Sequence, residues 1–384
     1  MRILYILSAM FPFGRAYAAR AMNLCRALRA GGCDVDVLAD YISDKAYLDA
    51  DGVGRYEDVR IFLSTDHAAA ERTLADKLTV ARKAEGALKA YLAENRPDCV
   101  IMSSASDRFL RLAKTVKRHG IPIVLESCEW FDSYNWERGK LDPRYHRFQR
   151  FWKKSPAMVD GVIAISQLLE ERYGQYVPTI RVPGLADPKS FFDCGGGRHD
   201  RIRLAFVGEI VCGKDNVSET IRAIAEADLA EKIEFHIFGP GKEEIEKQLE
   251  QPLPGFVTAH GFVKQDEMLS RLREMDFGLI IRPDRRSSHA GFPTKLVEYL
   301  SQGLPVIANL TGDIGLYLKD GVNGYVVSGN DRTAVAESLR RAVNDYDVFY
   351  ETMRRNALHT AAAHFDYHLY TDSLCGLIRQ CLGE

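Results

Sequence analysis

The chain lacks most of the features that would assign it at a glance. Its 384 residues carry a formal net charge of −2. No sequence-wide basic excess is available for phosphates, so nucleic acid is not an expected partner. No apolar run is long enough to cross a bilayer, and Met1-Arg2 leads into the apolar Ile3–Leu7 without a charged-then-apolar leader. The eight cysteines (25, 33, 99, 128, 194, 212, 375 and 381) form no C-x-x-C pair and no zinc spacing. They are expected as free thiols in a reducing cytoplasm. The turn after the first predicted strand is not G-x-G-x-x-G, which leaves ordinary NAD binding unsupported. No Asp-x-Asp suited to a divalent metal stands at a strand end, and no short-period repeat is present.

What is present is alternation. Strands are predicted at Arg2–Leu7, Val35–Leu38, Cys99–Met102, Pro122–Leu125 and Gly161–Ser166, with helices over Ala18–Ala30, Glu71–Asn95 and Phe109–His119. A second series runs through Ile202–Val207, Ile233–Phe238, Phe256–Ala259, Phe277–Ile281, Pro305–Ala308 and Gly324–Val327. Short strands alternating with helices predict mostly parallel sheets covered on both faces. Between the series, Pro188, Phe191-Phe192 and Gly195-Gly196-Gly197 read as a linker. The expected division is an α/β chain of two Rossmann-like domains, 1–187 and 202–364, joined by 188–201, with a terminal helix over 365–382.

The stretch Ala290–Ala308, AGFPTKLVEYLSQGLPVIA, is the most informative. Pro293 suits a first helical position, Leu296, Val297 and Leu300 keep helical spacing, and Gly303 suits the residue just past the helix. A helix opening on a tight Gly-Phe-Pro-Thr turn offers free N–H groups and about half a positive charge to an anion such as a diphosphate.

This segment resembles the donor-binding signature of the retaining glycosyltransferases of family 4, which have the GT-B architecture of two Rossmann-like domains flanking a cleft, with a C-terminal helix, here 365–384, crossing back to the first domain. The family pattern is Glu-x7-Glu followed by Gly-x-Pro-Val. Glu298, Gly303, Pro305 and Val306 match its second half, and Ala290 replaces the first Glu. The chain is similar to a subset with a Pro-Thr-Lys turn ahead of Glu-Tyr-Leu.

The resemblance implies a donor site on Gly208, Lys214, Gly239, Phe262, Val263, Phe292, Pro293, Thr294, Lys295 and Glu298. Lys214 falls at the family's diphosphate-binding Lys, whereas the family's Arg position holds Glu209, whose charge would repel a phosphate. Arg282 is a substitute cation or a structural residue, and Lys295 reaches toward sugar or diphosphate where Ala290 cannot. Glu298 would accept hydrogen bonds from both ribose hydroxyls. In the first half, Gly14 and Arg15 resemble the loop facing acceptor and donor phosphates. Glu129 and Asp132 are placed to orient or deprotonate an acceptor hydroxyl, with capping or salt bridging as the other reading.

Arg138–Lys154 interleaves basic residues with Tyr145, Phe148, Phe151 and Trp152. It reads either as an amphipathic helix packing its aromatics on the sheet or as a surface for anionic lipid. The expected function is retaining transfer of a sugar from a nucleotide sugar to a hydroxyl of a glycan or lipid-linked acceptor. No metal or other cofactor is expected, as the GT-B resemblance implies. The expected location is the cytoplasm, with the inner membrane face as an extension. The alternatives are a catalytically silent nucleotide-sugar-binding protein and a nucleotide-sugar epimerase.

Overall fold

A computed structural model describes residues 1–14, 16–65, 74–103, 107–192, 199–210 and 215–384. It divides into two compact units, Met1–Leu185 with Tyr367–Glu384, and Ala186–Asp366.

The first unit is built on β1 (Arg2–Phe11), β2 (Asp34–Ile42), β3 (Gly54–Tyr56), β4 (Val59–Leu63), β5 (Cys99–Ser103), β6 (Ile123–Ser127), β7 (Gly161–Ala164) and β8 (Thr179–Arg181). Their order in the sheet is β3-β4-β2-β1-β5-β6-β7-β8, parallel throughout except for the antiparallel pair β3–β4. The helices of this part are α1 (Ala16–Ala30), α2 (Leu74–Glu94), α3 (Asp107–Arg118), α4 (Pro143–Lys154) and α5 (Gln167–Gly174). β5 and β6 are buried along their whole length, as strands covered on both faces must be. The β3–β4 hairpin was not legible in the sequence. Its turn residues Glu57 and Asp58 take φ of +45° and +61°, the conformation usually announced by Asn-Gly.

The second unit holds β9 (Ile202–Val207), β10 (Ile233–Phe238), β11 (Val257–Gly261), β12 (Phe277–Ile280), β13 (Val306–Asn309) and β14 (Gly324–Val327). They form a sheet in the order β11-β10-β9-β12-β13-β14. Around it run α6 (Val217–Glu226), α7 (Lys242–Leu249), α8 (Gln265–Leu272), α9 (Arg286–Ala290), α10 (Thr294–Ser301), α11 (Ile314–Tyr317) and α12 (Arg332–His364). Of these, the 33-residue α12 was unexpected. It contributes Val335, Leu339, Tyr346, Tyr350 and Met353 to the core under this sheet.

Within the expected linker, Pro188–Ser190 forms a short 3-10 turn, and the Gly195–Gly197 run lies outside the described residues. The outgoing and returning chain lie side by side at Ala186 and Asp366. The terminal helix expected over 365–382 is a 3-10 turn, Tyr367–Tyr370, followed by α13 (Thr371–Leu382). α13 buries Leu374, Cys375, Leu377 and Ile378 in the core of the first unit. The six described cysteines are free thiols.

Candidate active site

In the second unit, three adjacent strands run out onto glycine: Gly208 follows β9, Gly239 follows β10 and Gly261 closes β11. Gly208 donates its N–H to Phe238 O at 2.9 Å, and Gly239 donates to Gly261 O at 2.8 Å. Gly208 and Gly239 have φ of +142° and +129°, and a Cβ on Gly239 would come within 2.1 Å of Gly208 O. Only glycine permits that approach. The result is a side-chain-free ledge at the carboxyl ends of β9, β10 and β11, where ligands of open α/β sheets bind.

Lys295 overlooks this ledge. A Cβ on Gly208 would lie 3.1 Å from its Nζ. The ammonium sits 4.0 Å from the Phe206 ring centroid and donates to Asp215 Oδ2 at 3.0 Å. Burial lowers its pKa, and the Asp215 carboxylate pulls the other way. Asp215 was missed in the sequence, although it directly follows Lys214; nothing local indicates that a distant lysine will bond it.

One helical turn on from Lys295, Glu298 is half-buried. Loss of solvent raises its pKa from 4.5 to about 7, against the lowering effect of Lys295. It is therefore not a freely solvated helix carboxylate. Next to it, the Tyr299 hydroxyl accepts from Val207 N at 2.9 Å and donates to Ala205 O at 3.3 Å, which fixes α10 against β9.

Several expectations are modified in detail. Pro293 is the N-cap of α10, with an extended ψ of 102°, not its first helical residue; Thr294 is, and it is half-buried. Gly303, at φ +64°, takes the left-handed conformation just beyond the helix. Phe292 presents no ring to a ligand: it packs edge-on against Tyr317 and Phe365. Arg282 stands at the end of β12, within electrostatic reach of Lys295, but its Nη1 donates to Ser288 O at 3.4 Å. Its backbone is clamped by the Asn309 side chain from both directions. Phe262 is 85% exposed, just past Gly261, with half-buried Val263 following. Ala290 is fully buried. Lys214 and Arg15 lie outside the described residues.

In the first unit, a cavity of about 250 Å³ opens at strand ends. β1 supplies Leu7, Ser8 and Ala9, β5 supplies Ser103, and β6 supplies Glu126 and Ser127. Cys128, Glu129, Phe131, Phe151 and Tyr17 complete it. Glu129 is thus on the wall and takes a hydrogen bond from the Tyr17 hydroxyl. Asp132 is not on the cavity: it caps the 3-10 turn Ser133–Asn135, and its N–H donates to the Asn135 side chain at 2.7 Å. Of its two readings, capping is the one observed. Gly14 has φ +155°, and the Met10 side chain fills the space a Cβ would need.

Sequence reasoning also missed the network beneath this cavity. Arg20, 3% exposed, donates from Nε to Glu126 Oε1 at 2.6 Å, and from its other nitrogens to the carbonyls of Val182 and Pro183. Tyr5 donates its hydroxyl to Glu126 Oε2. Arg20 and Asn23, polar residues on the mostly apolar face of α1, were the available signal.

The Arg138–Lys154 stretch begins as a 3-10 turn, Gly139–Leu141, before α4 starts at Pro143 with Asp142 as N-cap. Phe148, Phe151 and Trp152 are buried, and Trp152 stacks on Tyr173 and against Trp130. These aromatics belong to the core and not to a lipid-facing surface. Arg147, Lys153 and Lys154 are exposed, as is Leu141 at 86%. Among the described residues, no helix is long and apolar enough to cross a membrane.

Two family models match the chain. Residues 15–182 match the glycosyl transferase 4-like domain, and residues 201–345 match the glycosyl transferases group 1. Together with the paired parallel sheets, these matches place the chain among the glycosyltransferases of GT-B type. Sucrose-phosphate synthase from Thermosynechococcus elongatus shares the fold at TM-score 0.73 and 16% identity, over 100% of this chain and 99% of that one. Anabaena Alr3699/HepE, in complex with UDP and glucose, does so at TM-score 0.70 and 16% identity, over 99% and 100%. Trehalose phosphorylase of Grifola frondosa is 39% identical over 71 residues, 18% of this chain. The chain spans 10% of that relative's length.

Proposed function

We propose that this glycosyltransferase is a retaining enzyme that moves a sugar from a nucleoside-diphosphate sugar held by the second unit to a hydroxyl of an acceptor held by the first. The observation that carries the reading is Lys295, 12% exposed, held over Gly208 and bonded to Asp215, with Glu298 one turn further along α10. As the glycosidic bond breaks, negative charge grows on the departing diphosphate. A fixed cation and the opening N–H groups of α10, aimed there, lower the barrier. Lys214 and Arg282 would add charge to the same group.

Glu298 would accept the ribose hydroxyls, and the exposed Phe262, with Val263, would border the base. Transfer would then be same-face, with no covalent carboxylate nucleophile and no metal, and Glu129 would receive the acceptor proton. The UDP and glucose held by one structural neighbour support a nucleotide-sugar donor.

The test is a thermal-shift screen against nucleoside diphosphates and nucleotide sugars with EDTA present. A shift of several degrees with one base is expected. A shift seen only with added divalent metal would sink metal independence, and no shift with any nucleotide would sink the donor site. A second reading, donor binding without turnover, is favoured by buried Ala290 in place of the first Glu; nucleotide binding without any sugar transfer or donor hydrolysis would select it.

The acceptor is a glycan or lipid-linked sugar, met in the cytoplasm at the inner membrane face. The exposed basic face of α4, with Leu141, would supply the contact. Co-sedimentation with anionic but not neutral vesicles is expected, and equal binding to both would remove the membrane contact.

A further inference from the structure

Two thiols take no part in the chemistry above, yet they touch. Cys33 Sγ and Cys375 Sγ are 3.9 Å apart, although 342 positions separate them in the sequence. Cys33 leads from α1 into β2, just past Gly31-Gly32. Cys375 stands on α13, among the side chains that this helix lays into the core of the first unit. Both are 3% exposed. The other four described cysteines form no such sulfur pair. The contact is built from both sides. On α13 the Cys375 thiol is also turned to Gly31 O, 3.9 Å away. A Cβ on Gly31 would come within 2.4 Å of that sulfur, so the helix approaches this closely because the turn carries glycine. Gly32, at φ +79°, would meet nothing with its Cβ. Glycine backbone moves at little steric cost, so the Cys33 side can close the remaining gap while α13 stays docked. Burial, and then the neighbouring Cys375, push the Cys33 thiol up to about 11, and the amino-terminal ammonium and Arg379 pull it back. Its thiolate is scarce, so any reaction there is slow.

We propose that Cys33 and Cys375 form an oxidation site, at which a small-molecule disulfide converts the two thiols into a cross-link that fastens α13 to the turn between α1 and β2. The Cys33 thiolate attacks one sulfur of the small disulfide and displaces the other as a thiolate, leaving a mixed disulfide. Cys375 then gives up its proton, its sulfur attacks that of Cys33, and the second small thiolate leaves. In sum, two protein thiols are oxidised to one disulfide. The small disulfide is reduced to two thiols, which take up the two protons the protein has lost. Undocking of one helix is a local opening of the fold. A bond at the middle of α13 confines the undocked helix and so makes that opening rarer. The proposal is independent of the glycosyl-transfer reading.

The test incubates the full chain in glutathione buffers from fully reduced to fully oxidised, alkylates the remaining thiols with N-ethylmaleimide in acidic urea, and maps the peptides by mass spectrometry without reduction. A linked peptide pair carrying Cys33 and Cys375 is expected in the oxidised buffer, reversed by dithiothreitol, while Cys25 and Cys99 remain alkylatable. In the cross-linked protein, hydrogen exchange of the α13 amides should slow by about tenfold or more. In Cys375→Ser the link should vanish, and oxidant should leave α13 exchange unchanged. Alkylated Cys33 and Cys375 after full oxidation, separate glutathione adducts on the two, or linkage of either to another cysteine would each overturn the proposal. A Cys33–Cys375 link without slower exchange would overturn the fastening of α13. The wild-type peptide map and exchange rates decide even if Cys375→Ser does not fold.

Discussion

Both units place their chemistry at the carboxyl ends of parallel strands, but they write it differently. In the second unit, the stretch Ala290–Ala308 carries the cation, the carboxylate and the helix start within a few residues of one another. In the first unit, the cavity draws on β1, β5, β6 and α1, and its floor is held by a residue more than a hundred positions away in sequence. The contiguous stretch is set by helical geometry, although its lysine is still held from outside by Asp215. An assembled site is only as sound as the buried bonds that hold its pieces together.

That contrast can be broken most sharply at Arg20. Arg20→Ala leaves buried Glu126 without its counter-charge, with only the Tyr5 hydroxyl and Cys128 thiol as donors, and breaking a buried pair in this way costs about 3–5 kcal/mol. Urea unfolding should show the loss in the transition of the first unit while nucleotide binding persists below that transition; a loss under about 1 kcal/mol would mean Glu126 finds another partner or a proton.

Lys295→Ala tests the contiguous site. Turnover should fall by about 10²–10³-fold, the usual loss for one transition-state donor, with the fold retained. A near-normal rate would take Lys295 off the diphosphate.

A smaller effect is expected at Glu298. Its folded pKa of about 7 lies above the ordinary 4.5, so the stability it contributes is complete below 4.5 and is lost as pH rises through 7. Ribose hydroxyls bond the ionised form, so nucleotide affinity should rise from pH 6 to pH 8, by up to about tenfold per pH unit below 7. Glu298→Gln should bind more weakly and without that pH dependence. A wild-type profile as flat as that of the variant would place the ribose elsewhere.

The smallest effect belongs to Asp132. As a turn cap, its replacement by Ala should cost about 1 kcal/mol of stability and leave the acceptor KM unchanged. A raised KM would return it to the acceptor.

The two regions also differ in how far they could be read in advance. β9, β10 and β14 fall where the sequence pattern puts them; in β10 the buried Ile233, Phe235 and Ile237 alternate with half-buried Glu234 and His236, the period of a strand. Glu298 and Lys295 stand in one contiguous motif, so their proximity along α10 was legible. The β3–β4 hairpin was not, because Glu57-Asp58 adopt positive φ without the residues that usually signal it. The burial of Phe292 and the capping role of Asp132 were hidden for a related reason: an aromatic or a carboxylate in a loop looks the same whichever way it turns.

By itself, the sequence determined the alternation of strands and helices, the division into two α/β units and the glycines that follow the strands of the second. All of these follow from local periodicity, backbone freedom and short spacing. Only the tertiary structure decided which carboxylate faces a cavity, which cation is held by Asp215 and which basic stretch buries its aromatics. Those outcomes depend on desolvation and on partners far apart along the chain, and a side chain's charge and bonding are set by the residues that fold around it.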